Sequence, residues 1–148
     1  MIRLSQADDD IPGAWFDHVI LGQKIRLKVR PRTVEKVQAI RLKHRTFEWV
    51  KDETLKDPKT GEALPRMVKT AVYDEEAVYV DVIDWIIEDF EGFGDGEGKP
   101  LLATKENKNA VARIAPLPGE LSVVEFIGKK ADDLALSISE DAESERKN

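Results

Sequence analysis

The sequence predicts an α+β fold, and three observations carry that prediction. Ile25, Leu27 and Val29 alternate with Lys24, Arg26, Lys28 and Arg30, the period of a half-buried strand with a cationic outer face. Leu121, Val124, Ile127, Ala131, Leu134 and Ile138 recur three and four apart, the stripe of an amphipathic helix. Thr33, Asp74 and Thr104 are side chains suited to cap three further helical segments. The expected architecture is an N-terminal β-hairpin, three to four helices and a short extended segment, with a disordered acidic C-terminal tail.

Each element follows in order. Residues 1–13 are polar, with an acid triplet at Asp8 to Asp10 and a Pro12-Gly13 turn, and read as a mobile arm. "AWFDHVILGQKIRLKVRP" contains two apolar runs around Gly22-Gln23, a pair suited to a tight hairpin, and Pro31 stops the second. Thr33 caps a helix of roughly 34–54, with Glu35 in its first turn. Val34, Val37, Ile40, His44 and Phe47 share one face of it. "KDPKTGEALP" is a loop. The next segment supports two readings. Ala77, Val78, Asp81, Val82 and Trp85 have helical spacing after Asp74, whereas Val78, Val80 and Val82 alternate as in a strand. The helix is favoured to about Asp84, with "WIIEDFEGF" extended after it. Thr104 caps a helix carrying Asn107, Val111 and Ile114, which "PLPG" ends, and the last helix begins near Glu120. From Ser139 no apolar residue exceeds Ala142 in size, so 139–148 is expected to be disordered. The predicted globular domain is 14–138.

Composition narrows the function classes. At 148 residues with 41% hydrophobic content, the chain can build one core. It has no cysteine, which removes disulfides, thiolate nucleophiles and Cys-containing zinc sites. No apolar run reaches the ~18–20 residues of a membrane helix, and the N-terminus lacks the apolar centre of a signal peptide. An intracellular location is expected. The net charge of −6 is uneven: residues 24–51 carry ten Lys/Arg against Glu35 and Glu48, so that segment is +8 and the remainder −14. Such a chain can attract a second copy of itself, another protein or nucleic acid.

The segment "EDFEGFGDGEGKPL" is the densest candidate for ligand chemistry, with Gly92, Gly94, Gly96 and Gly98 among carboxylates. A Walker loop needs Ser or Thr after Gly-Lys, and here Pro100 follows Lys99. The dinucleotide fingerprint fails at its third glycine. An EF-hand counted from Asp89 places Phe93 and Pro100 at ligand positions. The remaining reading is a turn whose Asp and Gly residues tolerate positive φ. His18 and His44 lie on different elements, and no serine occupies a nucleophile elbow. These patterns predict no enzyme, no cofactor and no metal.

The run from Ile86 to Val111 resembles a pattern in phage tail assembly chaperones and related short phage or prophage morphogenesis proteins. The matching residues are Asp89, Phe90, Glu91, Gly92, Asp95, Gly98, Lys99, Pro100, Thr104 and Asn107, with Phe90 standing where Trp is usual. The resemblance spans about residues 83–148, and the front half is similar in size and layout alone. It implies a non-enzymatic protein in the host cytoplasm that binds the long helical tape-measure protein and recruits tail-tube subunits. The alternatives are a minor virion component, or a small nucleic-acid-binding module using residues 24–45.

Two sets of candidate contact residues follow. Leu121, Val124, Ile127, Leu134 and Ile138 form an apolar stripe able to cover a partner helix. Lys24, Arg26, Lys28 and Arg30 form a face for nucleic acid or an acidic partner. Nucleic acid is the weaker expectation, because aromatic residues do not interleave with these cations and the remaining −14 charges would repel it.

Overall fold

The computed structural model describes residues 11–147. Its elements are β1 (Ala14–Ile20), β2 (Gln23–Val29), α1 (Val34–Lys43), β3 (Arg45–Lys51), β4 (Met67–Tyr73), α2 (Glu75–Ile86), β5 (Ile87–Glu91), α3 (Lys105–Ala112) and α4 (Val123–Lys147). The α+β class and the N-terminal hairpin agree with the sequence pattern. Residues 1–10, most of the predicted mobile arm, lie outside the described residues. Gly13, at the arm's end, is tied down: its amide donates to Glu88 Oε1 at 3.3 Å.

β1, β2 and β5 form an antiparallel sheet with β2 in the centre. Alternation along β2 sends Ile25, Leu27 and Val29 inward, all nearly or fully buried. They meet Ile83 and Ile86 of α2, Val111 and Ala112 of α3, and Val123, Ile127 and Ala131 of α4. β5 adds Ile87 and Phe90 to the same cluster. One core therefore lies between one face of the sheet and three helices, with the cationic alternation of β2 on the other face. Burying side chains of this size contributes roughly 1.5–3 kcal/mol each.

The β1–β2 turn is Leu21-Gly22, one residue earlier than the Gly22-Gln23 pair in the sequence reading. Both residues have positive φ, 51° and 73°. Leucine is strained there, and Glu120 explains why the turn persists: its carboxylate accepts the Leu21 amide at 2.8 Å and the Gly22 amide at 2.9 Å.

Helix caps are where local sequence predicts best. Thr33 accepts from the Lys36 amide, Asp74 from Ala77 and Thr104 from Asn107. Glu75–Ile86 is helical, two residues beyond the expected end at Asp84, so Trp85 and Ile86 belong to the helix and the short extended element, β5, starts at Ile87.

Two differences stand out. The helix expected over 34–54 ends at Lys43, where the backbone turns at His44 into β3. β3 is "RTFEWVK", whose aromatic and β-branched residues fit a pleated strand better than a helix. It pairs antiparallel with β4 through the full register from Arg45↔Tyr73 to Lys51↔Met67. Phe47 therefore belongs to a two-stranded ribbon and not to the helix face of Ile40. At the other end, α4 runs to Lys147, through the segment from Ser139 predicted as disordered. Glu, Ala and Lys, common in that segment, are adequate helix formers.

The glycine loop is a turn, as its composition suggests. Asp95 Oδ1 accepts the amides of Glu97 at 2.8 Å and Lys99 at 2.9 Å, and the Asp95 amide donates to the Lys99 carbonyl. Asp95 thus spends its acceptors on its own loop. Gly92, at φ 100°, has its Cα against Ile25, where a Cβ would come within 3.1 Å of Ile25 Cα.

Candidate interaction surface

The apolar stripe divides between core and surface. Ile127 is fully buried, and Val124 and Leu134 pack against the same core. Only Leu121 and Ile138, each 41% exposed, retain substantial accessible area. Most of the stripe proposed as a partner surface is consumed by this domain's own sheet, which is the usual fate of an amphipathic face. The α1 face behaves similarly: Ile40 is buried, and His44 Nε2 lies 2.6 Å from Asp81 Oδ2. Lys105 pairs with the same Asp81, so that carboxylate ties α1, α2 and α3 together. The bond from Lys105, and then that from His44, hold the Asp81 carboxyl below its ordinary pKa.

The cationic face of β2 is mostly neutralised by its neighbours. Arg26 pairs with Asp17 of β1 at 3.4 Å and Glu91 of β5 at 3.3 Å, and lies over the Trp15 ring. Lys28 Nζ is 2.5 Å from Glu88 Oε2, and Arg30 Nη2 is 3.3 Å from Glu88 Oε1. The Lys28 bond is the main cause of the lowered Glu88 pKa, followed in the same direction by the Gly13 amide and the Arg30 charge. Lys24 alone of the four has no carboxylate partner among the described residues. The four cations therefore do not form an open track for a phosphate backbone.

What remains uncovered is the β3–β4 ribbon. All seven residues of β3 are exposed, and neither strand contributes to the core cluster. Strand alternation and register place Arg45, Phe47, Trp49 and Lys51 on one face with Met67, Lys69, Ala71 and Tyr73. Phe47 is 49% exposed, Trp49 66% and Met67 52%. Arg45 and Lys69 lie over the Phe47 ring at 5.0 and 4.6 Å, and Arg41 over Tyr73 at 4.3 Å. No carboxylate falls on this face; Glu48 points to the other side with Thr46 and Val50. The ribbon is anchored where the Asp74 amide donates to the His44 carbonyl at 3.0 Å, between α1 and α2.

Helical periodicity assigned to 34–54 hid this surface. The signal that could have found it is the matched alternation of "RTFEWVK" and "MVKTAVY" across a turn-rich linker.

Among the described residues no cluster of His and carboxylate side chains could hold a metal ion, and no helix is long and apolar enough to cross a membrane. No family model, curated protein or solved structure matches the chain.

Proposed function

We propose that this chain is a non-enzymatic tail-morphogenesis protein of a phage or prophage, a tail assembly chaperone that grips the tape-measure protein with the β3–β4 ribbon. The observation that carries the reading is the exposure of Phe47 and Trp49 on a carboxylate-free face also bearing Arg45, Lys51 and Lys69. Large aromatic rings left in water cost free energy that a partner recovers, and Trp and Arg are the residues that most often anchor such contacts. The resemblance implies a long helical tape-measure chain as partner, and its exposed apolar faces are what such rings can cover. The resemblance of residues 86–111 to the chaperone group supports the same reading. Recruitment of tail-tube subunits, work in the host cytoplasm and absence of catalysis belong to this proposal.

The test is co-expression with the tape-measure protein of the phage or prophage that encodes the chain. The wild-type protein is expected to keep that partner soluble and co-purify with it, and the Phe47→Ala/Trp49→Ala variant to lose it while staying folded. Equal retention by the variant sinks the ribbon as the surface. Recovery of the protein in purified particles would favour a minor virion component.

A nucleic-acid reading also has a specific observation behind it, now on the ribbon instead of β2. Phe47 and Trp49 are two residues apart, roughly 7 Å along a strand, with cations on either side, as in single-strand binders. Oligonucleotide binding that weakens steeply with salt and disappears in the same double variant would select it.

A further inference from the structure

Two exposed patches at opposite ends of α1 have complementary chemistry. One is the aromatic face of the ribbon, where Phe47, Trp49 and Met67 stand among Arg45, Lys51 and Lys69. None of these three cations pairs with a carboxylate among the described residues. Asp52, which follows Lys51 in the chain, accepts the amide and the hydroxyl of Thr54 instead. A two-stranded ribbon is marginal in water unless a further strand or surface packs on it. Neither β3 nor β4 enters this chain's own core.

The other patch is a groove of about 490 Å³ between the start of α1 and the second half of α4. Arg32 fixes its walls: the backbone amide donates to the Ala131 carbonyl at 3.1 Å, and the guanidinium makes two bonds to Asp132 at 2.9 and 2.7 Å. Val34 is 68% exposed and Leu136 60%, with Ile138 lining the same groove. Carboxylates border these apolar groups. Glu35 lines the groove, and helical spacing puts Asp133 and Glu140 next to Leu136 and Asp141 next to Ile138. These four acids make no ion pair among the described residues. Three unpaired cations around apolar side chains thus face a counterpart with four unpaired carboxylates. Such opposed potentials steer two surfaces together and fix their orientation.

The two patches do not cover each other within one chain, since both stay exposed. The ribbon starts past the C-terminal end of α1 and the groove lies at its N-terminal end, about 15 Å away along ten helical residues. We propose that the ribbon of one copy docks in the α1–α4 groove of a second copy of this chain. When each copy gives its ribbon to the other, the contact is made twice and closes a symmetric dimer. The pairing shares the ribbon with the tape-measure reading but needs no tape-measure protein. Where that reading holds, the dimer keeps Phe47 and Trp49 covered until the tape-measure chain displaces the second copy.

The test uses the purified full-length chain alone, so its failure and that of the tape-measure reading are distinguishable. Light scattering after size exclusion, at about 100 µM, is expected to give twice the 16.7 kDa of one chain. Lys51→Glu/Lys69→Glu reverses the ribbon, and Glu140→Lys/Asp141→Lys reverses the groove. Either double variant alone should raise the dimer Kd at least about tenfold, because like charges then face each other. An equimolar mixture of the two should regain wild-type affinity, since each reversed face meets its opposite. Circular dichroism checks that both variants stay folded. A wild-type monomer at this concentration overturns the proposal and leaves both faces to other partners. A dimer insensitive to both reversals overturns it too, as does a mixture that stays monomeric.

Discussion

Leu21 holds a left-handed backbone, φ 51°, while its amide donates to Glu120 Oε1 at 2.8 Å from 99 residues away. Glu120 also accepts the Gly22 and Leu117 amides, so one carboxylate joins the β1–β2 turn to the segment before α4. The Gly22 bond leads the three in holding its pKa low. Leu21→Asn should raise stability by about 1 kcal/mol, because asparagine tolerates this conformation and Asn-Gly suits a turn with two positive φ values. Glu120→Ala should lower Tm. Urea denaturation of both variants checks the pair, and a destabilised Leu21→Asn would refute the strain argument.

Glu88 sits between Lys28 and Arg30 and accepts the Gly13 amide. Glu88→Gln should cost about 1–2 kcal/mol near neutral pH. Because the folded pKa is lowered, this stabilisation is present above the unfolded value of about 4.3 and fades as pH falls through the folded one. The stability gap between wild type and variant, followed from neutral pH downward, should therefore close in acid. A gap independent of pH would show that the charge is not its source.

The glycines of the 92–98 loop should differ sharply on substitution. Gly92→Ala combines φ 100° with a Cβ placed 3.1 Å from Ile25 Cα, backbone that cannot swing aside, and should cost about 1–3 kcal/mol. Gly96 has open space around it, so Gly96→Ala should stay within about 0.5 kcal/mol. Thermal melts of the two single variants measure the contrast. Equal effects would mean that Gly92 is not confined by β2.

Within α4, Ile127→Ala should cost about 2–5 kcal/mol through an internal cavity. Ile138→Ala, at an exposed position, should be nearly neutral. Truncation at Glu120 would remove Val123, Ile127 and Ala131 from the core and is expected to unfold the domain, so it cannot report on partner binding. Circular dichroism of the truncated chain checks this, and a cooperatively folded product would place α4 outside the core.

Much of the local structure was legible in the residues. The alternation of β2, the caps at Thr33, Asp74 and Thr104, the stripe of α4 and the turn chemistry around Asp95 are decided by neighbours a few positions apart, and sequence displays such neighbours directly. Tertiary structure decided which surfaces remain available. Ile127 looks the same in sequence whether it faces a partner or its own sheet. Arg26 and Lys28 look free until β1 and β5 bring Asp17, Glu91 and Glu88 beside them. The ribbon depends on Arg45 meeting Tyr73 across 28 positions. Those pairings are set by chain closure and packing, whose energies arise between residues far apart in sequence, so periodicity within a short window cannot reveal them.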